Sequence, residues 1–373
     1  MRPIPRIAAA ALMLAALTTP LRAQNASLRV EMEEMAKEVS QILQSLPTPV
    51  GAIRVGDFTG PATMETSGGS VIALALTESL PKHGIRIAHT APVGIKGEYE
   101  DVKDKDSGLL AAQISATVVD RSGKKLFECT KRGAFGESLV SSVFGVSAKL
   151  PPTASAKERG EILEKKLEKP SCHIAGNEVC CDVRSAYAVE VHVAPYSGAP
   201  YVPRPAKIED GLAFVPLKRG EVFGVKLVNK SQYDAAASLT LDALNMYAFS
   251  NVRDGKGRPK YSQVILDAGK SAFIRGWHIT NEKSDEFTIT EFAKSAAFQL
   301  KSSAKTGTIQ VAFAAAWPKG GQRPPDEPAN PNEHSRSAGS DAVGRGQRFT
   351  QKFQEVQYDV GVVRETVSVR YSK

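Results

Sequence analysis

Leu28, Met32, Met35, Val39, Ile42 and Leu46 recur at alternating steps of four and three, which sets them on one helical face. Glu31, Glu34, Lys37 and Glu38 fall off that face, so an amphipathic helix is predicted over 24–46. It is expected to lie against its own domain, with partner binding as the alternative for its polar side. Val50, Ile53 and Val55 predict a short buried strand, ended by Gly56 and the turn material Gly60-Pro61. "TSGGSVIALALTESLPKHG" predicts a helix with Ser70 as candidate cap, Ile72, Leu76 and Leu80 on one face, and Gly84 as its terminator. "IRIA", "GIKGEYEDV" and "GLLAAQISATVVDRSGKKLFE" read as strands, with a hairpin turn at Asp120-Arg121-Ser122-Gly123. Helix, strand, helix, strand and meander make a small α/β domain over 47–130.

Residues 131–185 read as a helical connector that carries cysteines. Ser155 with Glu158 forms a capping-box pattern, Ile162, Leu163 and Leu167 supply an apolar face, and Pro170 stops the helix. From Ala186 the period changes to two. "AYAVEVHV", "GLAFVPL", "EVFGVKLVN", "AAASLTLDAL", "YSQVILDAG", "SAFIRGWHI", "EFTITEF" and "GTIQVAFAAAW" alternate apolar and polar positions between Gly, Pro, Asn and Asp. They predict an antiparallel β-sandwich over 186–317. A Pro/Gly-rich stretch, 318–347, reads as loop or disordered, and 348–373 as the last strand, with Val360, Val362 and Val363 returning it to the sandwich. The fold class is therefore α+β.

Composition is that of a globular chain, 42% hydrophobic and 24% charged, and 373 residues suffice for two domains. The N-terminus joins Arg2 and Arg6 to an apolar run from Ile7 to Leu17, which predicts a signal peptide over 1–23 rather than a membrane span. Taking Arg2, Arg6 and Arg22 from the formal charge of +8 leaves +5, without the dense basic tract that nucleic acid binding would use. The expected location is the periplasm or the extracellular space, with no stable membrane span.

The strand "VGAIRVGDFTG", the helix ending "LTESLPKHGIRI", and "IKGEYEDV" leading to "ISATVVDRSGKKL" carry a resemblance. This segment, 48–128, resembles the α/β domain of bacterial envelope proteins: the amino-terminal domain of TolB, the lipoprotein activators of penicillin-binding proteins, and the curli-secretion lipoprotein. The resemblance implies a non-catalytic domain that binds other envelope proteins. The chain lacks the lipidation cysteine of those lipoproteins, so a lipid anchor is not implied. "GEVFGVKLVNKSQYDAAASLTLDALNMYAFS" and "VILDAGKSAFIRGWHI" are similar to a β-sandwich of uncharacterised exported bacterial proteins. That likeness implies fold and export, and no activity.

Candidate chemistry is sparse. "DAGKS", 267–271, ends like a phosphate loop, but Val264 stands where glycine is needed and strands flank it, so a β-turn is predicted. Gly68 and Gly69 before a helix could present amides to an anion, although glycine caps are common without one. Asp285 and Glu286 are adjacent in a strand and so point to opposite faces, unlike a catalytic carboxylate pair. Trp277 is expected in the sandwich core; in the rival reading its ring stacks on a sugar and His278 supplies an acid or base. Cys129, Cys172, Cys180 and Cys181 show neither paired metal-binding knuckles nor a C-x-x-C redox motif. Export favours disulfides. Two bridges, joining Cys180 and Cys181 to Cys129 and Cys172, would tie the connector to the first domain.

The functional expectation is a non-enzymatic exported envelope protein with a protein-binding or scaffolding role, without a cofactor or catalytic residue. Its contact surface is placed on the exposed parts of the 28–46 helix and the Gly56–Ser70 loop. One alternative is a carbohydrate-binding module or hydrolase acting on cell-wall glycan through Trp277. Another is a redox or metal protein using the connector cysteines.

Overall fold

Helix α1 (Leu28–Ser45) withdraws Met32, Met35, Ala36, Val39 and Leu43 wholly from solvent. In this computed structural model, which describes residues 28–60, 68–103, 110–133, 141, 143–242, 244–255, 259–289, 306–328 and 344–372, that face packs into one core with the sheet that follows. The expected signal peptide lies outside the described residues, as do 61–67 of the expected contact loop and 329–343 of the Pro/Gly-rich stretch.

The first sheet holds β1 (Ala52–Thr59), β2 (Arg86–Ile87), β3 (Gly94–Lys103), β4 (Leu110–Val119) and β5 (Lys125–Gly133) in the order β2-β1-β3-β4-β5. β1 runs parallel to β2 and β3, and the meander β3-β4-β5 is antiparallel. Helix α2 (Gly68–Ser79) begins two residues before the expected Ser70 cap. A Cβ on Gly69 would stand 1.7 Å from the Phe58 carbonyl oxygen, so glycine here lets the helix sit directly on β1. A 3-10 turn, Leu80–His83, ends at Gly84, whose φ of 82° turns the chain into β2. At the β4–β5 turn, Asp120 accepts from the backbone N–H groups of Ser122 and Lys124.

The segment expected as a connector contributes β6 (Ala148–Lys149), α3 (Ala156–Glu168), β7 (His173–Ala175) and β8 (Glu178–Cys180). Ser155 caps α3 with both hydrogen bonds of the capping box to Glu158. There follow β9 (Tyr187–Ala194), β10 (Val202–Pro203), β11 (Lys207–Glu209), β12 (Leu212–Val215), β13 (Val222–Asn229) and β14 (Asp234–Leu241). Next come β15 (Leu244–Asn245), β16 (Val264–Leu266), β17 (Ser271–Ile274), β18 (Gly276–Thr280) and β19 (Lys283–Thr288). Last in order are β20 (Thr306–Pro318), β21 (Gly344–Thr350) and β22 (Tyr358–Ser372).

These strands form two facing sheets. One is ordered β18-β19-β13-β9-β8-β7, with β10, β17 and β21 on its flanks; the other is β11-β12-β22-β20-β14-β15, joined by β16 and β6. Their inner faces share a core in which Tyr187 stacks on Phe313 at 4.8 Å between ring centroids and Phe223 meets Tyr371 at 6.2 Å. The sandwich differs from its expected form in three respects. β12 pairs with β22 in parallel. Strands β7 and β8 extend a sandwich sheet from within the connector. The C-terminal segment supplies β21 to one sheet and β22 to the other.

The connector is also the joint between the two halves. Phe144, Val146, Ala148 and Leu150 are buried in the core of the first domain, and that core continues to Ala312 and Val363 of the second sandwich sheet. The backbone N–H of Ala148 donates to Thr366 Oγ1 (3.1 Å), and that of Ser368 donates to Ser147 Oγ (2.9 Å). Buried Arg159 of α3 donates to the carbonyls of Leu150, Pro151 and Val363. Truncating Phe144 to Ala is expected to cost about 3–5 kcal/mol, the range for a buried ring. Urea unfolding measures it, and a loss below ~1 kcal/mol would contradict a packed joint.

Candidate functional site

The residues with most chemical capacity gather at the β18 end of the sandwich. Trp277 and His278 are adjacent on β18, so alternation sends them to opposite sides. Both are completely buried. Trp277 packs edge-on against Phe249 (5.1 Å) and Phe287 (5.2 Å) within the sandwich core. A ring with no exposed surface cannot stack on a glycan, so the sugar-stacking expectation for Trp277 is corrected.

His278 heads an ordered row of polar groups. Its ring lies among Tyr247, Phe353 and Tyr261, at 4.9, 5.0 and 5.9 Å. Nδ1 is 3.1 Å from Ser250 Oγ, and Nε2 is 3.1 Å from Asn281 Oδ1. Because an amide oxygen only accepts, Nε2 carries the proton, which leaves Nδ1 to accept from the Ser250 hydroxyl, whose proton also has the Val252 carbonyl within reach at 3.3 Å. Asn281 Nδ2 then donates to Tyr261 Oη (3.3 Å), and Tyr261 Oη donates to Glu355 Oε2 (2.8 Å). Lys260 closes the row from outside with an ion pair to Glu355. The donors all point one way, from the buried hydroxyl to a surface carboxylate.

Ser, His and Asn in this order are the parts of a nucleophile, a base and an orienting group. Ser250 has no exposed surface, and its Oγ already accepts the backbone N–H of Val252 at 3.1 Å. A substrate carbonyl cannot reach it in this conformation. The row instead pins three segments together, since Phe353 N–H also donates to the Asn281 carbonyl and Asn251 N–H to that of Ile279.

Asp285 and Glu286 fall on β19 opposite Trp277 and Gly276. Asp285 accepts from Arg348 Nε at 2.7 Å and Nη2 at 3.3 Å. The "DAGKS" segment is the turn between β16 and β17, closed by Lys270 N–H on the Asp267 carbonyl, with Gly269 at a φ of 68°. Gly68 and Gly69 are buried against Val143, Tyr99 and Phe58, which accounts for them through packing.

All four cysteines are free thiols in the structure, in place of the two expected bridges. Cys129 sits on β5 in the first domain's core, where burial and then the Glu38 carboxylate push its thiol up to about 12. Cys172 and Cys180 pack on the sandwich instead, and neither is bonded to Cys129. Cys180 is packed with Ala188 and Val228, and burial raises it to about 11. Cys181 donates to Glu365 Oε2 at 3.1 Å, and burial followed by that carboxylate pushes it far above the ordinary thiol range. Cys172 is half-buried and raised by burial, against the pull of Lys166. Every shift is toward the protonated thiol, with burial as the largest cause in each case. Among the described residues, no three His, Cys, Asp or Glu side chains are grouped to hold a metal ion.

The buried row was missed in the sequence because its members span 250 to 355 and share no motif. Only His278 was singled out. The chain matches no protein-family model and no curated protein. Among solved structures, it is similar to the LpoB C-terminal domain from Salmonella enterica, at 8% identity and a TM-score of 0.20. The match covers 29% of this chain and 96% of that domain, a likeness too distant to argue from.

Burial holds the His278 pKa below its ordinary value, partly offset by the Asn281 hydrogen bond. The neutral ring is therefore the folded form, and stability is full above the ordinary histidine pKa. As pH falls below it, the unfolded chain takes up a proton that the folded chain resists, so stability declines toward the folded pKa. The slope reaches at most about 1.4 kcal/mol per pH unit. His278→Gln is expected to remove this component when urea unfolding is compared between about pH 7.5 and pH 5. Parallel profiles for the two proteins would contradict a neutral buried His278.

Proposed function

We propose that the chain is a non-enzymatic exported envelope protein whose α/β domain binds another protein, with the sandwich as its scaffold. The observation that carries this reading is the open face of the first sheet. Helices α1 and α2 cover one side of β1–β5. On the other, Lys96, Glu98 and Glu100 of β3 stand beside Gln113 of β4 and Glu128 and Thr130 of β5. Those on β3 and β5 are exposed, and Gln113 is partly so. The strands hold this polar surface rigid, and both charge signs occur on it, as suits contact with another folded protein. Strand β5 is the outer member of the sheet and exposes Leu126 at its start.

Two further points support the reading. The groups that could have performed chemistry, from His278 to the cysteines, are engaged in packing and hydrogen bonds. The resemblance of 48–128 to envelope binding domains implies the same role. No helix among the described residues is long and apolar enough to cross a membrane. The glycan alternative loses its anchor with Trp277 buried.

The contact surface moves accordingly. The exposed side of α1 is partly occupied within the chain, where Glu33 pairs with Lys82 and Glu38 with Lys131. The sheet face is the better candidate. Reversing Glu98 and Glu100 to Lys together is expected to cut recovery of a cross-linked envelope partner by roughly tenfold or more. The melting temperature should stay unchanged, because both side chains are exposed. Full recovery with the doubly reversed protein would count against this surface.

A further inference from the structure

We propose that Cys172 and Cys181 form a disulfide that closes the β7–β8 hairpin, while Cys180 and Cys129 remain thiols. Its occurrence in cells rests on the export reading; its geometry does not. Across the hairpin His173 pairs with Cys180, Ile174 with Val179 and Ala175 with Glu178. The same register, carried one residue outward, sets Cys172 opposite Cys181. Residues directly opposite on antiparallel strands share a face, with Cα atoms about 4.5–5.5 Å apart. A disulfide spans roughly 4.4–6.8 Å between Cα atoms, so the backbone need not move far.

Alternation separates the candidates. Cys172 and Ile174 both pack against the sandwich core, and Val179, the partner of Ile174, is part of it. Cys181 has the side of Val179, two positions on. Cys180 has the other side, where it packs with Ala188 and Val228. Cys129 is in the core of the first domain. Of three cysteines close in sequence, only two can meet. The adjacent pair, Cys180 with Cys181, points apart.

The exchange needs an oxidant disulfide, such as oxidised glutathione or the oxidised dithiol of an exported thiol oxidase. Cys172, the only one of the three not fully buried, loses its proton to solvent and attacks a sulfur of that disulfide. One thiolate leaves and a mixed disulfide forms. Cys181, whose Sγ donates to Glu365 at 3.1 Å, passes its proton to that carboxylate and attacks the Cys172 sulfur. The second thiolate leaves. Two electrons move from the cysteine pair to the oxidant, whose two departing thiolates take up the two protons. Glu365 keeps the Ser185 hydroxyl and the Ala186 N–H as donors after the thiol is gone.

The full chain, purified reduced, is incubated in its native state with oxidised glutathione, alkylated, and cut with a glutamate-specific protease. Cleavage after Glu178 separates Cys172 from Cys180 and Cys181. The expected result is that the two fragments stay joined until reductant is added, with a mass lower by two hydrogens than their sum. Cys129→Ser and Cys180→Ser should join at the wild-type rate. Cys172→Ser should give no joined product, and Cys181→Ser should slow joining roughly tenfold or more, because Cys180 faces away. Four alkylated thiols after oxidation of the wild-type chain, or a bridge carried by Cys180, would overturn the proposal. Alkylation of cells lysed without reductant tests the other premise. Reduced cysteines there, beside ready closure in the purified chain, would overturn the export reading and leave the hairpin geometry standing.

Discussion

The structure depends most on the ladder between β20 and β22. The strands are 13 and 15 residues long and pair from Thr306 opposite Ser372 to Pro318 opposite Tyr358. Each hydrogen bond of such a ladder adds only about 0.5–1.5 kcal/mol net. The larger contribution comes from burial on both faces. Val367, Val369 and Tyr371 enter the sandwich core, while Thr366 and Ser368 hold the connector on the opposite side. Along the edge away from β20, β22 takes β6 in antiparallel register at Glu365 and Thr366 and β12 in parallel at Val369 to Tyr371. From Glu365 to Tyr371 the strand is buried, with partners on both edges, so the two halves of the chain share one joint rather than a linker.

The ladder also explains where the polar side chains went. A register shift between Phe313 and Ala314 leaves Arg364 unmatched and sends Val363 to the first domain's core, although Val367 goes to the sandwich's. Arg364 there forms ion pairs with Asp326 and Glu327, and Glu365 accepts from Ser185, Ala186 and Cys181. Buried carboxylates of this kind need several donors to offset their lost hydration. Glu327 obtains them from Arg364 and the Val362 N–H. The same demand explains the row from Ser250 to Glu355. In both places buried polar groups satisfy one another's hydrogen bonds in the interior.

Much of this was legible in the sequence because local signals and tertiary demands coincide. The four-three spacing of α1, the Ser155–Glu158 capping box and the Asp120 turn appear where the pattern sets them, and so do six of the eight alternating runs. "SAFIRGWHI" divides into β17 and β18 at Arg275, and "EFTITEF" is described only as far as Ile289, its strand β19 starting at Lys283. Strands β7 and β8 were not legible. They are three residues each, too short to show a period, and they are strands only because β9 lies beside β8 to receive the pairing. The parallel pairing of β12 with β22 was hidden for a related reason: the partners are more than 150 positions apart.

From sequence alone the α+β class, the position of most elements and the change of period at Ala186 were determined, since periodicity and turn chemistry act over a few residues. Tertiary structure alone decided which of those residues are reachable. It buried Trp277, enclosed His278 in a row of hydrogen bonds, and set His173 opposite Cys180 across the β7–β8 hairpin. Accessibility and register depend on which segments become neighbours across the sheets, and no local pattern carries that information.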